Sequence, residues 1–116
     1  MKVLFTGDRN WINWRSIEKR MSILPSDTEI IVGCARGVDR QVAALAEQMG
    51  YEYEVFFADW AQHGKAAGPI RNNVMLDQKP DLVIAFHPNL EESKGTKHCV
   101  TEAKKRGIPV EVHNGL

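Results

Sequence analysis

Short apolar runs alternate along this chain with longer segments in which apolar residues recur every three or four positions. The short runs are Lys2–Thr6, Glu29–Val32, Tyr51–Phe57, Asp81–Phe86 and Ile108–Val112, and they predict five strands. Leu82 to Phe86 is apolar without interruption, the pattern of a strand covered on both faces of a parallel sheet. Trp14, Ile17, Met21 and Leu24 predict a first helix, capped by Asn10 and stopped by Pro25. Val38, Val42, Leu45, Ala46 and Met49 predict a second, with Gly50 just past its end. Ile70, Val74 and Met75 predict a third that starts at Pro69 and closes at Lys79-Pro80. Val100 and Ala103 predict a last helix, opened by Gly95-Thr96 and ended by Gly107. Residues 58–68 read as a long connection and His87–Lys94 as a loop. The alternation predicts an α/β fold: a Rossmann-like, doubly wound, five-stranded, mainly parallel sheet with helices on both faces.

The length of 116 residues suits one domain with one real core, residues 1–116. Fifteen basic residues balance fifteen acidic ones, so the overall excess of positive charge that nucleic-acid binders usually carry is missing. No apolar stretch approaches the roughly 20 residues that a membrane span requires. The apolar start Met1–Phe5 stops too early for a signal peptide. Cys34 and Cys99 lack CxxC spacing, and the expected setting is a reducing cytoplasm.

The candidate chemistry lies in Gly33-Cys34-Ala35-Arg36-Gly37-Val38-Asp39, where a strand turns into a helix. There, free backbone N–H groups meet the positive end of the helix dipole, and an arginine is at hand to fork onto a phosphate or carboxylate. Other polar residues fall at the same sheet edge. Thr6-Gly7-Asp8-Arg9-Asn10 follow the first strand, His87-Pro88-Asn89 follow the fourth, and Ser93-Lys94-Gly95-Thr96 precede the last helix. The long connection adds Trp60, His63 and Lys65, then Arg71-Asn72. Several established motifs are absent. Gly33-x-x-x-Gly37 lacks GxGxxG spacing, no GK[ST] occurs, and no serine sits in a G-x-S-x-G elbow. The four histidines show no metal-ligand spacing with the cysteines, so no metal is expected.

The segment Gly33–Asp39 resembles the G-x-A-x-G-[VI]-D motif of the SLOG superfamily, which includes DNA-processing protein A and the lonely-guy phosphoribohydrolases. Thr6–Arg9, Asp59-Trp60, His63–Asn72 and Gly95-Thr96 are similar to its YspA-related branch, in order along nearly the whole chain. The resemblance implies a Rossmann-like domain that binds a nucleotide or nucleotide-derived ligand. By position it places Gly7, Arg9, Gly33, Arg36, Gly37 and Asp39 around phosphate and ribose. Arg71 and Asn72 match an arginine-asparagine pair, and Gly95 and Thr96 match a step whose amides and hydroxyl face phosphate. Lonely-guy enzymes carry a catalytic glutamate where this chain has Cys99, and Glu102 lies one helical turn beyond it.

Three functions fit these features. The first is a nucleotide-binding or sensor protein, with Arg36 and Arg71 on phosphate and Trp60 closing over the ligand. The second is an N-glycoside hydrolase of nucleoside 5′-monophosphates, for which Asp39, Glu102 and Asp8 are the candidate carboxylates. The third is a single-stranded nucleic-acid binder that stacks bases on Trp11, Trp14 and Trp60, which the neutral charge disfavours. Trp14 is expected to pack in the core instead. A homo-oligomer joined through Trp11 or Trp14 is a further expectation.

Overall fold

The structure is a computed structural model and describes residues 1–115. Five strands form one sheet: β1 (Lys2–Gly7), β2 (Glu29–Val32), β3 (Glu52–Val55), β4 (Leu82–Phe86) and β5 (Val110–His113). Their order is β3-β2-β1-β4-β5, and all four pairings are parallel. Five helices complete the fold: α1 (Trp14–Met21), α2 (Val38–Met49), α3 (Trp60–His63), α4 (Ala67–Asp77) and α5 (Gly95–Lys105). This is the expected Rossmann-like architecture.

Alternation along the central strands builds two cores. Val3, Phe5, Ile30, Val32, Ile84 and Phe86 meet α1 and α2 through Ile17, Met21, Val38, Val42, Leu45 and Ala46. Leu4, Ile31 and Val83 point the other way, onto Met75 and Leu76 of α4 and Cys99 and Ala103 of α5. Handedness explains the division. The chain steps in one direction from β1 to β2 to β3 and in the other from β4 to β5, so crossovers of one hand lay the two helix pairs on opposite faces. The reversal falls between β1 and β4, whose C-terminal ends frame the crevice where such sheets take ligands.

Several local expectations shift. The cap of α1 is Asn13, whose Oδ1 accepts from the Ser16 N–H at 3.3 Å. Asn10 instead donates its N–H to Asp8 Oδ1 in a tight turn. That turn is needed because Trp11 is buried: its ring meets Phe86 edge-on at 5.6 Å and its Nε1 donates to the Asn13 carbonyl. Trp14 is the reverse case. It lies in the first turn of α1, 46% exposed, with the Arg15 guanidinium over its ring. Helix α1 ends at Met21 rather than at Pro25. Beyond it, Leu24 is still buried, and the Tyr51 hydroxyl lies 2.7 and 2.9 Å from the Met21 and Leu24 carbonyls.

Residues 58–68 are more ordered than a connection. They hold α3, a 3₁₀ turn over Gly64–Ala66 and the first two residues of α4. Pro69 is therefore the third residue of α4 rather than the first, where its missing N–H is still one the helix leaves unpaired. Ile70 and Val74 are exposed, and Ala67, Asn72, Met75 and Leu76 face inward. The helix is rotated from the phase its apolar residues predict, because a polar residue, Asn72, is turned into the protein.

No helix among the described residues is long and apolar enough to cross a membrane.

Candidate functional site

The loop after β2 and the start of α4 meet around Gly33. A Cβ at Gly33 would lie 2.5 Å from Arg71 Nη1 and 2.7 Å from Asp39 Oδ2. The missing side chain is thus the space into which a guanidinium and a carboxyl converge. Arg71 is held by uncharged acceptors. Its Nε donates to Asn72 Oδ1 at 3.1 Å, and its Nη1 to the Phe56 carbonyl at 3.4 Å and to Cys34 Sγ at 3.7 Å. No ion pair within 4.0 Å closes on it among the described residues.

Asp39 occupies the first turn of α2 and is 5% exposed. Its Oδ2 accepts from the Ala35 N–H at 3.1 Å, which folds the loop back over the helix start. Burial pushes its carboxyl up from 3.8 to about 6, against the opposing pull of that N–H and of Arg71. Asp39 therefore changes protonation at about pH 6.

Gly37 carries the chain into α2 with φ +72. It lies against the backbone of Asp8 and Arg9, which brings the loops after β1 and β2 together. The Asp8 carbonyl accepts from both the Trp11 and Val38 N–H groups, and the Asp8 N–H donates to the Phe86 carbonyl across the crevice. Gly7 ends β1 opposite Phe86. Arg9 and Arg36 project from these loops, exposed and without an ion pair among the described residues.

On the other side of the cluster, Asn72 is 3% exposed. Its Nδ2 donates to the Gly95 carbonyl at 3.3 Å and lies 3.2 Å from His98 Nδ1. The sheet edge thus joins Gly33, Asp39, Arg71, Asn72 and Gly95. The expectation for Gly95-Thr96 needs correction in one respect. The Thr96 and Lys97 N–H groups donate to Ser93 Oγ, at 3.0 and 3.4 Å, so the Thr96 amide is already occupied, and Thr96 itself is buried. Glu102 is partly buried, with an oxygen 3.8 Å from both His98 Nε2 and Lys105 Nζ. Cys99 is fully buried beside the Thr6 hydroxyl, and burial pushes its thiol up to about 12, which makes it a packing residue. Trp60 is exposed on α3, which Asp59 caps through the Gln62 N–H, and its ring rests near Gly68. A groove of about 480 Å³ bordered by Ile12, Trp14 and α2 lies apart from this cluster.

Sequence reasoning missed two participants, Phe56 and His98, and placed Cys34 and Ser93 at this edge without assigning them a role. Ser93 had a legible signal, a serine three residues before the amide it caps. The Phe56 carbonyl had none, since a backbone acceptor leaves no mark in residue type.

Fold and site together define a Rossmann-like domain of the small-molecule-binding kind. The chain belongs to the YspA, cpYpsA-related SLOG family, whose model matches residues 1–63. It is 37% identical to the Gene 61 protein of Mycobacterium phage D29 over 118 residues, covering 94% of this chain and 93% of that one. DNA processing protein A (DprA) from Streptococcus pneumoniae has the same fold, with a TM-score of 0.80 at 19% identity. That match covers 96% of this chain, which spans about half (49%) of the DprA chain.

Proposed function

We propose that this protein binds a phosphate-bearing nucleotide or nucleotide-derived ligand at the C-terminal edge of its sheet, in a binding or sensing role. The observation that carries the reading is the state of Arg71. A half-buried guanidinium is fixed by three uncharged acceptors and, among the described residues, has no carboxylate within ion-pair distance, although the Asp39 carboxyl stands nearby. Such a group keeps its charge available for an anion, and a forked donor suits phosphate. Arg9 and Arg36 add positive charge with no ion pair among the described residues, and the first turn of α2 offers amides beyond that of Val38, which the Asp8 carbonyl takes. Trp60 is the candidate to cover the base or ribose. Family membership favours the same ligand class.

Calorimetric titration and thermal shift with pyrophosphate, nucleoside mono- and diphosphates, cyclic nucleotides and ADP-ribose test the reading. A ligand at a hundred times its Kd should stabilise the protein by about 2.7 kcal/mol. Arg71→Ala should weaken binding by about ten- to hundredfold, the worth of hydrogen bonds to a charged group. Absence of stabilisation by every one of these compounds would remove the proposal.

One observation favours hydrolysis of an N-glycosidic bond as a second reading. Asp39 is buried beside Arg71 with a carboxyl near 6, a value suited to giving and taking a proton at neutral pH. No carboxylate stands at Cys99, so the catalytic burden would fall on Asp39. If base is released from a nucleoside 5′-monophosphate, Asp39→Asn should slow release by about a hundredfold or more. Unchanged turnover in that variant eliminates this chemistry.

A further inference from the structure

We infer that His98 is a positioning residue for the anion site: the lone pair on its Nδ1 holds the Asn72 amide in the one sense that serves Arg71. The inference rests on the reading of Arg71 as the residue that receives the ligand's anionic group.

The hydrogen-bond chemistry leaves one arrangement. Arg71 Nε faces one end of the Asn72 amide at 3.1 Å, and the Gly95 carbonyl faces the other at 3.3 Å. An arginine Nε offers only a hydrogen and a carbonyl only lone pairs. Only one sense of the amide, oxygen toward Arg71 and NH2 toward Gly95, satisfies both neighbours. The NH2 end also lies 3.2 Å from His98 Nδ1, so that ring nitrogen has to be the acceptor. The ring then carries its hydrogen on Nε2, the nitrogen 3.8 Å from Glu102 Oε1, an oxygen that Lys105 Nζ approaches equally closely. The two hydrogens of the Asn72 amide are both used, one by Gly95 and one by His98. A chain of contacts thus runs from Glu102 through His98 and Asn72 to the guanidinium beneath Gly33.

The reverse arrangement fails at two points. A hydrogen on Nδ1 would favour the amide turned over, with its NH2 against the Arg71 Nε–H and its oxygen against the Gly95 carbonyl, so that both of these hydrogen bonds are lost. Asn72 is too buried for water to repair either loss readily. The acceptor state of His98 and the set position of Arg71 are therefore one condition. Lonely packing of the ring would impose no such link.

Nitrogen-15 NMR of the ligand-free protein at pH 8 tests this directly. The His98 ring should be the Nε2–H tautomer, and the Arg71 Nε–H should exchange slowly with solvent. His98→Leu, which removes the acceptor, should speed that exchange by about three- to tenfold and weaken pyrophosphate binding similarly, the worth of one hydrogen bond. His98→Asn, which returns an acceptor close to the Nδ1 position, should restore both to within about twofold of the parent. An Nδ1–H tautomer, or Arg71 Nε–H exchange as slow in His98→Leu as in the parent, overturns the inference. If the parent binds neither pyrophosphate nor any of the nucleotides named above, the anion reading falls; the tautomer and exchange measurements need no ligand and still decide whether His98 sets Arg71.

Discussion

Gly37→Ala is expected to destabilise the fold by about 3 kcal/mol or more, from a left-handed backbone that an L side chain resists and from overpacking. Gly37 has φ +72, and a Cβ there would come within 2.6 Å of the Arg9 carbonyl oxygen and closer still to the backbone of Asp8. Relief by a rotamer change is not available, because the obstructing atoms are main chain. Nor can the Asp8 carbonyl simply retreat, since it holds the Trp11 and Val38 N–H groups at 3.1 and 3.2 Å. The damage would extend from the loops to the Trp11 plug over Phe86. Urea denaturation measures it: with a slope of about 1–3 kcal/mol/M, the midpoint should fall by more than about 1 M. Gly95→Ala is the control, because nothing lies within 4 Å of its Cβ position. A Gly37→Ala protein as stable as the Gly95→Ala protein would show that the two loops are not joined as described.

The second large effect is on the pH dependence of stability. With its carboxyl near 6 in the folded state and 3.8 as the ordinary value, Asp39 binds a proton more tightly folded than unfolded. Between these values the folded state holds more protons, so stability falls as pH rises. The contribution is fully present below about pH 4 and is lost as the pH passes through 6. At neutral pH the buried carboxylate costs about 3 kcal/mol relative to its protonated form. Asp39→Asn keeps an acceptor for the Ala35 N–H and never ionises. The variant should therefore gain on the parent as pH rises from 4 to 7, by up to about 3 kcal/mol. Taking the difference between the two proteins removes groups such as Glu111, whose pairing with Arg20 and His113 lowers its own titration and tilts the parent's curve the other way. A difference that stays level from pH 4 to 7 would contradict a buried, proton-exchanging Asp39. The result also bears on function, because a site that tolerates this cost unliganded holds a carboxyl where apolar packing would be more stable.

The fold was legible because its signals are local and redundant. Each central strand announces itself by an apolar run, and α2 and α5 by inward positions that the structure keeps. The misreadings cluster where a polar residue is buried or an aromatic one exposed. Asn72 turned α4 away from its predicted phase, Trp14 left the core expected of it, and Trp11, a candidate for stacking or an interface, is buried. Hydrophobic periodicity assumes that polarity tracks solvent, and at this sheet edge it does not.

By itself the sequence determined the order of strands and helices, the alternation that packs two faces of a parallel sheet, and which loops collect at its C-terminal edge. These follow from period-two and period-3.6 patterns that each segment carries alone. Tertiary structure alone decided that Arg71 enters the space left by Gly33, that Ser93 takes the Thr96 amide, that Asn72 links His98 to Arg71, and that Asp39 holds its proton to about pH 6. Such properties depend on distance and desolvation between groups far apart in the chain, and residue identity and spacing do not encode those until the sheet brings the groups together.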